Sequence, residues 1–378
     1  MFLFKSSAAG GERRKDDGAN WAVTTNKLAW GVTQITRADL DCTLSEICKQ
    51  VEAWDSTRIV LVKHLQEAER NQGRVELMKD TQVDKAMAVK RMPIRWVCTT
   101  PEEFDRQHPS ASEQPWYDIA SIKRLSTVGF PYVCEFYGIY RNATEMFVAT
   151  EFCSQGDLFS WCDHPTVPKP GPAREAHMRP LAAQIFAATR WLHELGIAHR
   201  DISLENILLE GGTGADAKVK LIDFGMATTN RVVSNEVCGK ASYQAPEVHV
   251  RNVPVDTFAT DAFAVGVTIF AMGVHDYPWT CTRKGKCQLF QYVSSFGFER
   301  FLQKRRLRSG RGETLGEVLT PHFIHLVASL VDFAPDKRAS LGELCYMQDV
   351  SQKQRFCVWD SAYLQGMADQ VPQVCSDT

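Results

Sequence analysis

The sequence predicts an α+β fold in which a strand-rich first part precedes a mostly helical second part. Short apolar and β-branched runs, which are typical of strands, lie within residues 58–90. Apolar residues at helical spacing dominate later, in the stretch that ends at Leu195 and in the long run from Ala262 to Val274. A chain of 378 residues, 44 % of them apolar, can bury a sizeable core and exceeds one small domain.

Composition and charge exclude several classes of protein. A formal net charge of −2 gives no global attraction to nucleic acid or anionic membranes. The 12 cysteines form no CxxC pair, which argues against a zinc site and for reduced thiols inside a cell. The N-terminal apolar run is too short for a signal peptide, Phe2 excludes N-myristoylation, and residues 262–274 are too short to span a bilayer. We therefore expect an intracellular protein, cytoplasmic or nuclear, with no nucleic-acid or membrane partner.

Residues 1–55 are expected to form an N-terminal extension that is partly disordered. Residues 5–20 are charged, rich in glycine and poor in apolar side chains. From Leu40 onward the apolar spacing predicts a short helix that packs against the strand-rich part. Two interpretations remain open, an autoregulatory segment or a simple extension. The absence of a pseudosubstrate pattern favours the simple extension.

The chain is organised around the stretch His-Arg-Asp-Ile-Ser-Leu-Glu-Asn at residues 199–206. It follows an amphipathic helix, and an apolar strand with a glycine-rich turn separates it from Asp-Phe-Gly at residues 223–225. Asp201, Asn206 and Asp223 thus form a set of two carboxylates and one amide. Phosphoryl transfer needs such a set, because one acid accepts a hydroxyl proton while an amide and a second acid hold Mg²⁺.

This stretch resembles the catalytic and metal-binding loops of eukaryotic protein kinases. Further kinase signatures stand in order on both sides, with Lys90 on an earlier strand and Ala-Pro-Glu at residues 245–247. The resemblance covers about residues 56–350 and implies an α+β, bilobal protein kinase-like fold. The implied parts are a small β-rich N-lobe with one main helix (56–150), a large, mostly helical C-lobe (154–350) and a C-terminal tail (351–378).

In the N-lobe the resemblance identifies the phosphate-binding lysine and the nucleotide loop. Lys90 would hold the α- and β-phosphates of ATP. Val75 lies fifteen residues before it, which places Gly73 as the third glycine of the loop. Ala68 and Arg70 occupy the first two glycine positions. Because glycine lets the backbone approach phosphate closely, we expect this loop to lie further from the phosphates. The predicted strands are 58–63, 73–75 and 85–90.

A long polar insert is expected at about residues 93–112, followed by a helix over residues 116–125. This helix resembles the kinase helix whose glutamate pairs with the strand lysine, but no glutamate stands in register. Asp118 is the first candidate partner for Lys90, and Glu113 is the second. Since aspartate is one methylene shorter, the helix must approach about 1.5 Å closer. The alternative is that Asp118 is an ordinary surface residue.

Residues 146–153 resemble the kinase hinge, a strand that runs into the adenine-binding segment. The backbone groups of Glu151 and Cys153 would bind adenine, and Thr150 would be the small residue at the back of the pocket. Asp157 matches the acidic position that holds the ribose and can face a substrate arginine. Composition alone would indicate only a strand and a loop here.

The same resemblance assigns the catalytic roles and shows two departures. Asp201 would be the catalytic base, and Asn206 and Asp223 would bind the Mg²⁺ that accompanies ATP. The lysine usual two residues after the base is Ser203, and the threonine usual after the glycine of the later segment is Lys240. Our hypothesis is that the ammonium of Lys240 replaces the missing cation, since losing it would weaken phosphate stabilisation. The alternative is an exposed Lys240 in an impaired enzyme.

The activation segment carries a carboxylate where many kinases carry a phosphorylated threonine. Glu236 stands three residues before the glycine at 239 and could pair with Arg200 of the catalytic loop. A carboxylate supplies less charge than a phosphate but needs no modification. We predict activity without phosphate on this segment. Ser234 and Thr229 are the rival sites, and a solvated Glu236 is the alternative.

The C-lobe contains residues that support the fold. Glu247 and Arg338 resemble the buried ion pair under the substrate platform. Asp261 would anchor the backbone of the catalytic loop. The basic run at residues 304–311 is either a docking or nuclear signal or, as the pattern favours, a solvated loop.

Together these features predict a protein serine/threonine kinase most similar to the calcium/calmodulin-dependent-like group. The absence of a tyrosine-kinase pattern after Asp201 favours serine and threonine hydroxyls. Asp157 and Glu205 favour protein substrates with basic residues near the target hydroxyl. The second hypothesis is a nucleotide-binding pseudokinase that acts as a scaffold or allosteric partner. A nucleic-acid-binding protein fits the net charge poorly.

Overall fold

The computed structural model describes residues 33–68, 72–308, 310, 312–347 and 355–371. The expectation of disorder at residues 5–20 and the placement of Arg70 in the nucleotide loop fall outside the described residues. Within them, the first part of the chain is built on one sheet and the second part is mostly helical. The predicted α+β, bilobal class therefore agrees with the structure.

The N-lobe contains one six-stranded sheet. Its strands are β1 (Glu52–Ala53), β2 (Ile59–Ala68), β3 (Gly73–Asp80), β4 (Lys85–Pro93), β5 (Phe136–Arg141) and β6 (Glu145–Thr150). Their order in the sheet is β1-β5-β6-β4-β3-β2, and only the β1–β5 pair is parallel. Along β4 the side chains of Met87 and Val89 are buried in one small core. Because side chains alternate along a strand, Lys90 points to the other face.

In the described part of the N-lobe, four helices accompany this sheet. They are α1 (Arg37–Lys49), α2 (Ile94–Val97), α3 (Pro101–Gln107) and α4 (Pro115–Thr127). The polar insert expected at residues 93–112 is instead partly helical, and Val97 and Phe104 are buried in the main core. Thr100 caps α3 by accepting the N–H of Glu103, and a proline occupies the first helical position. Too few apolar residues lie here for the sequence pattern to reveal these turns.

The C-lobe is built around one long apolar helix. Its helices are α5 (Leu158–Cys162), α6 (Pro172–Glu194), α7 (Thr257–Val274), α8 (Gln288–Phe296), α9 (Phe298–Lys304), α10 (Leu315–Val318), α11 (Pro321–Leu330) and α12 (Leu344–Met347). Its strands are β7 (Ile207–Glu210), β8 (Lys218–Leu221), β9 (Val232–Val233) and β10 (Val255–Asp256). Helix α7 is long and apolar enough to cross a membrane by composition, but 94 % of it is buried inside the protein.

Residues 355–371, which the sequence assigns to a tail, pack onto this lobe. The hydroxyl of Tyr363 donates to the carbonyl of Glu175 at 2.7 Å, and the indole of Trp359 donates to the carbonyl of Leu341 at 2.9 Å. Leu364 is buried in the main core. This part of the chain therefore contributes to the stability of the C-lobe.

The basic run is partly held by one aspartate. Arg305 lies 2.6 Å and Arg308 3.2 Å from the carboxylate of Asp276. Arg308 is nevertheless mostly exposed. Two of the charges thus serve a local contact, which favours the loop interpretation over a docking signal.

Candidate active site

A cleft of about 640 Å³ lies between the two lobes, a size typical of small-molecule sites. Most residues that the sequence assigned to the site line it. These are Val75, Lys90, Thr150, Glu151, Cys153, Asp157, Asp201, Asn206, Asp223 and Lys240. The fold therefore brings together residues from β3, β4, β6, the hinge and the catalytic loop.

Lys90 and Asp118 form the ion pair expected at the back of the cleft. The ammonium of Lys90 lies 2.9 Å from Oδ2 of Asp118, which is 3 % exposed, so the alternative of a surface aspartate is wrong. The other carboxylate oxygen accepts the backbone N–H of Phe224 at 2.8 Å. One aspartate thus fixes both the lysine and the Asp-Phe-Gly segment.

Glu113, the second candidate, is a further carboxylate at the same place. It is buried and lines the cleft. A Cβ on Gly225 would lie 2.8 Å from Cγ of Glu113, so a side chain at residue 225 would force Glu113 to shift. Burial alone would lower the pKa of Lys90, but Asp118, Asp223 and Glu113 together raise it well above its usual value. Lys90 is therefore charged at neutral pH. The contact with Gly225 could not be predicted from the sequence.

The catalytic loop is held by hydrogen bonds to its backbone. Asp261 accepts the N–H of His199 at 2.7 Å and that of Arg200 at 2.8 Å, as the resemblance implied. The amide nitrogen of Asn206 donates to the carbonyl of Asp201 at 2.7 Å and to its carboxylate at 3.1 Å. Arg200 has a left-handed φ of 67°. Such strain is maintained only where the surroundings fix the backbone, and it often accompanies active sites.

The donor set of Asn206 and Asp223 fits a magnesium ion. Because the amide nitrogen of Asn206 is bonded to Asp201, its side-chain oxygen is the atom left for a ligand. Burial alone would raise the pKa of Asp223, but Lys90, His199 and Lys240 outweigh it and lower that pKa. An ionised carboxylate and an amide oxygen are hard ligands of the kind that Mg²⁺ prefers.

Lys240 reaches the catalytic loop. Its ammonium donates to the hydroxyl of Ser203 at 2.6 Å and lies 4.0 Å from the carboxylate of Asp201. Its backbone N–H donates to Asp201 at 3.0 Å. The side chain is 28 % exposed and lines the cleft, which is at odds with the alternative of a solvent-exposed lysine. Ser203 and Lys240, the two departures from the kinase pattern closest to the catalytic base, are thus in contact.

Glu236 pairs with the catalytic-loop arginine as predicted. Its carboxylate lies 2.7 Å from the guanidinium of Arg200, and the Glu236 side chain is half exposed. The activation segment is therefore tied to the catalytic loop by an unmodified carboxylate.

The predicted ion pair below the substrate platform is also present. Both carboxylate oxygens of Glu247 accept from Arg338, at 2.6 and 3.0 Å. Arg338 is fully buried and also donates to the carbonyl of Ala259 at 2.8 Å.

Gly73 has a packing role in the sheet that the sequence did not reveal. A Cβ at this position would lie 2.0 Å from the carbonyl oxygen of Arg91, so glycine permits close packing of β3 on β4. Gly73 pairs with Ala68 at the closed end of β2 and β3. Gly73 is not among the described residues that line the cleft. Gly73 therefore has a structural role in the sheet, and its assignment to nucleotide binding stays a prediction.

The hinge residues line the cleft with their own local contacts. The carboxylate of Glu151 pairs with Lys220 at 2.9 Å. Cys153 is buried, with its sulfur 3.7 Å from that of Cys134. Asp157 caps α5 by accepting the N–H of Ser160 at 2.7 Å. Capping of α5 is enough to account for an aspartate at this position, without any role in ligand binding. Asp157 nevertheless also lines the cleft.

Comparisons with known proteins agree with this geometry. The family model described as protein kinase domain matches residues 70–350. The serine/threonine-protein kinase kin-29 of Caenorhabditis elegans is 27 % identical over 216 residues, which cover 54 % of this chain and 25 % of that protein. The mouse testis-specific serine/threonine-protein kinase 3 is 30 % identical over 166 residues, which cover 43 % of this chain and 58 % of that protein. The chain thus spans only part of the length of these relatives.

Proposed function

The chain belongs to the protein kinase domain family, and we propose that it is an ATP- and Mg²⁺-dependent protein serine/threonine kinase. The observation that carries the proposal is the arrangement around Asp118, whose two oxygens hold Lys90 and the segment that contains Asp223. This arrangement aligns the phosphate-binding lysine with the metal-binding acid. The related proteins are named serine/threonine-protein kinases, which supports the choice of hydroxyl.

The residues of the cleft have different roles in phosphoryl transfer. Asp201 accepts the proton of the attacking hydroxyl while the γ-phosphoryl group passes from ATP to the hydroxyl oxygen. Lys90 contacts the α- and β-phosphates. Asn206 and Asp223 would hold Mg²⁺, which supplies neutralisation of the phosphate charge. Val75 and the hinge backbone enclose the adenine.

Lys240 supplies a second side-chain cation to the site, in addition to Lys90. Kinases usually place this lysine two residues after the base, where this chain has Ser203. The contact between Lys240 and Ser203 supports the exchange, because a cation near Asp201 is retained. A preorganised ammonium in a partly dry cleft stabilises charge that develops on the transferred phosphoryl group.

The same contacts weigh against the alternative of a nucleotide-binding pseudokinase scaffold. A scaffold needs neither a base nor a complete metal-binding pair, yet Asp201, Asn206 and Asp223 are all present in the cleft. We further propose intracellular protein substrates, in the cytoplasm or nucleus, with basic residues near the target hydroxyl. Charge complementarity with Asp157, which lines the cleft, supports that preference, whereas the carboxylate of Glu205 lies 3.5 Å from the ammonium of Lys240. The likeness to the calcium/calmodulin-dependent-like group stays part of this proposal.

The test is transfer of labelled γ-phosphate from Mg-ATP to a degenerate peptide mixture. We expect transfer to serine and threonine peptides and its loss in the Asp223→Asn variant. Nucleotide binding is followed in parallel as a thermal shift. Binding of Mg-ATP without any phosphate transfer would overturn the proposed kinase activity and support the scaffold hypothesis.

A further inference from the structure

The segment over residues 33–51 contacts both lobes of the protein. The N–H of Ile35 donates to the carbonyl of Leu195 at 2.7 Å, directly after α6 and shortly before the catalytic loop. Gly196 has a left-handed φ of 82°, and a Cβ there would lie 3.4 Å from the carbonyl oxygen of Ile35. The start of the segment is therefore docked on the C-lobe.

The segment then forms α1, which packs along α4 of the N-lobe. Thr36 and Asp39 cap its first turn reciprocally. Leu40, Leu44 and Ile47 recur at helical spacing and are buried at 5 %, 5 % and 0 % exposure. An exposed extension would not bury this face so completely, so α1 is an integral part of the N-lobe.

Polar contacts show which face of α4 is covered. The hydroxyl of Tyr117 donates to Asp41 at 2.9 Å, and the guanidinium of Arg37 lies 3.9 Å from the centre of the Tyr117 ring. Two turns further along, Arg124 lies 3.5 Å from Asp39. Ala120, between them on the same face, is fully buried. The two helices are thus held together along two turns of α4.

Another face of α4 carries the residue that completes the active site. Asp118 holds Lys90 at 2.9 Å and the N–H of Phe224 at 2.8 Å. Because aspartate is about 1.5 Å shorter than the usual glutamate, it has little reach to spare. A small displacement of α4 would therefore break both contacts at once.

We infer that α1 positions Asp118 for phosphoryl transfer and that Leu44, Ile47 and Asp41 are positioning residues of the active site. The inference rests on the proposed function, because it assigns these residues to the same reaction. Docking of Ile35 on the end of α6 holds α1 against the lobe that carries the catalytic loop. The segment thereby couples the placement of Lys90 to that of Asp201.

The experiment compares full-length variants for stability and for kinetics. Leu44→Ala combined with Ile47→Ala loosens the packing of α1, whereas Leu44→Met keeps its volume. Leu326→Ala is the matched control, since Leu326 is fully buried in α11 and outside the cleft. We expect the double variant to lose at least about tenfold in kcat/KM and most of its Mg-ATP thermal shift. Leu44→Met and Leu326→Ala should keep kcat/KM within about twofold.

Each outcome decides the question. Assays are run well below the lowest melting temperature, so that loss of folded protein does not imitate loss of catalysis. If the double variant melts lower, as Leu326→Ala does, but keeps kcat/KM, α1 is only a structural helix and the inference is overturned. If the double variant does not fold, Tyr117→Phe decides, since it removes only the hydrogen bond to Asp41. We expect it to lower kcat/KM about threefold, and an unchanged value overturns the inference.

Failure of the proposed function would be recognised separately. If the wild-type protein binds Mg-ATP but transfers no phosphate, the proposed kinase activity is refuted. The thermal shift then still tests the inference, because the position of Asp118 governs how Lys90 meets phosphate. An equal shift in the wild type and in the double variant would overturn it.

Discussion

Removal of the Lys240 ammonium is the perturbation that tests the unusual part of the site. In this chain Lys240 lies 2.6 Å from the hydroxyl of Ser203 and 4.0 Å from the carboxylate of Asp201. The Lys240→Ala variant keeps the backbone N–H that donates to Asp201. The substitution therefore removes the charge while leaving the local fold in place.

The magnitude follows from the distance and the burial. An ammonium about 4 Å from the charge that develops on the phosphoryl group would stabilise it by about 4 kcal/mol at an effective dielectric constant of about 20. A charge-assisted hydrogen bond is worth about 2 kcal/mol. Because Lys240 is 28 % exposed, the loss should lie between these figures. A barrier raised by about 2 to 4 kcal/mol lowers kcat by about 30- to 1000-fold.

The assay is steady-state phosphate transfer with ATP and peptide varied separately. A matched rescue is Ser203→Lys combined with Lys240→Thr, which places the cation and the threonine where kinases usually carry them. We expect this double variant to recover at least about tenfold over Lys240→Ala, because the cation returns to the same place. A Lys240→Ala variant with unchanged kcat and an unchanged melting temperature would refute the reasoning.

Three further predictions concern the rest of the chain. Glu236→Ala should lower kcat about three- to tenfold, since a half-exposed ion pair is weak, while Ser234→Ala should change kcat little. Mass spectrometry of the active wild-type protein should find no phosphate on the activation segment. Activity that appears only after Ser234 is phosphorylated would contradict this prediction. Burial alone would lower the pKa of His193, but hydrogen bonds to two buried carboxylates raise it to about 9. Because this exceeds the usual value of about 6.5, protonated His193 stabilises the fold in full below pH about 6.5, and the contribution is lost as the pH rises through about 9. Urea unfolding at pH 6 to 10 should show this decline in the wild type but not in His193→Gln, and parallel curves would contradict it. Arg338→Met leaves the carboxylate of Glu247, whose side chain is 12 % exposed, without its partner. It should cost about 3 kcal/mol of stability, measured as denaturant unfolding; a loss below about 1 kcal/mol would mean that the pair is dispensable.

The sequence was sufficient for the parts of the site that depend on fixed spacing. Asp201, Asn206 and Asp223 lie on one loop and one hairpin, so local chain geometry brings them together wherever the fold forms. Lys90 was assigned from the resemblance of its strand to the kinase strand, and alternation along β4 places its side chain on the face opposite Met87 and Val89. These assignments needed no knowledge of long-range packing.

Other parts depended on packing that one sequence does not reveal. Gly73 was identified as a phosphate-loop glycine, and the sequence did not show that its missing Cβ also makes room for the carbonyl of Arg91 on the neighbouring strand. The insert looked polar because its buried residues, such as Phe104, are few and widely spaced. The buried contact between Glu113 and Gly225 joins residues over 100 positions apart. Only the folded chain brings these groups within reach of one another.

Asp118→Glu restores the residue that kinases usually carry, yet here we expect it to impair the enzyme. Helix α4 is held by α1 on one face, and the indole of Trp116 donates to the carbonyl of Val97 in α2 at 2.8 Å. An extra methylene must therefore displace Lys90 or the Asp-Phe-Gly segment, and such overpacking costs about 1 to 3 kcal/mol. We expect kcat/KM to fall about tenfold in steady-state assays, and loosening α1 by Leu44→Ala should recover part of that loss. If Asp118→Glu alone is as active as the wild type, α4 is free to adjust and α1 does not determine its position.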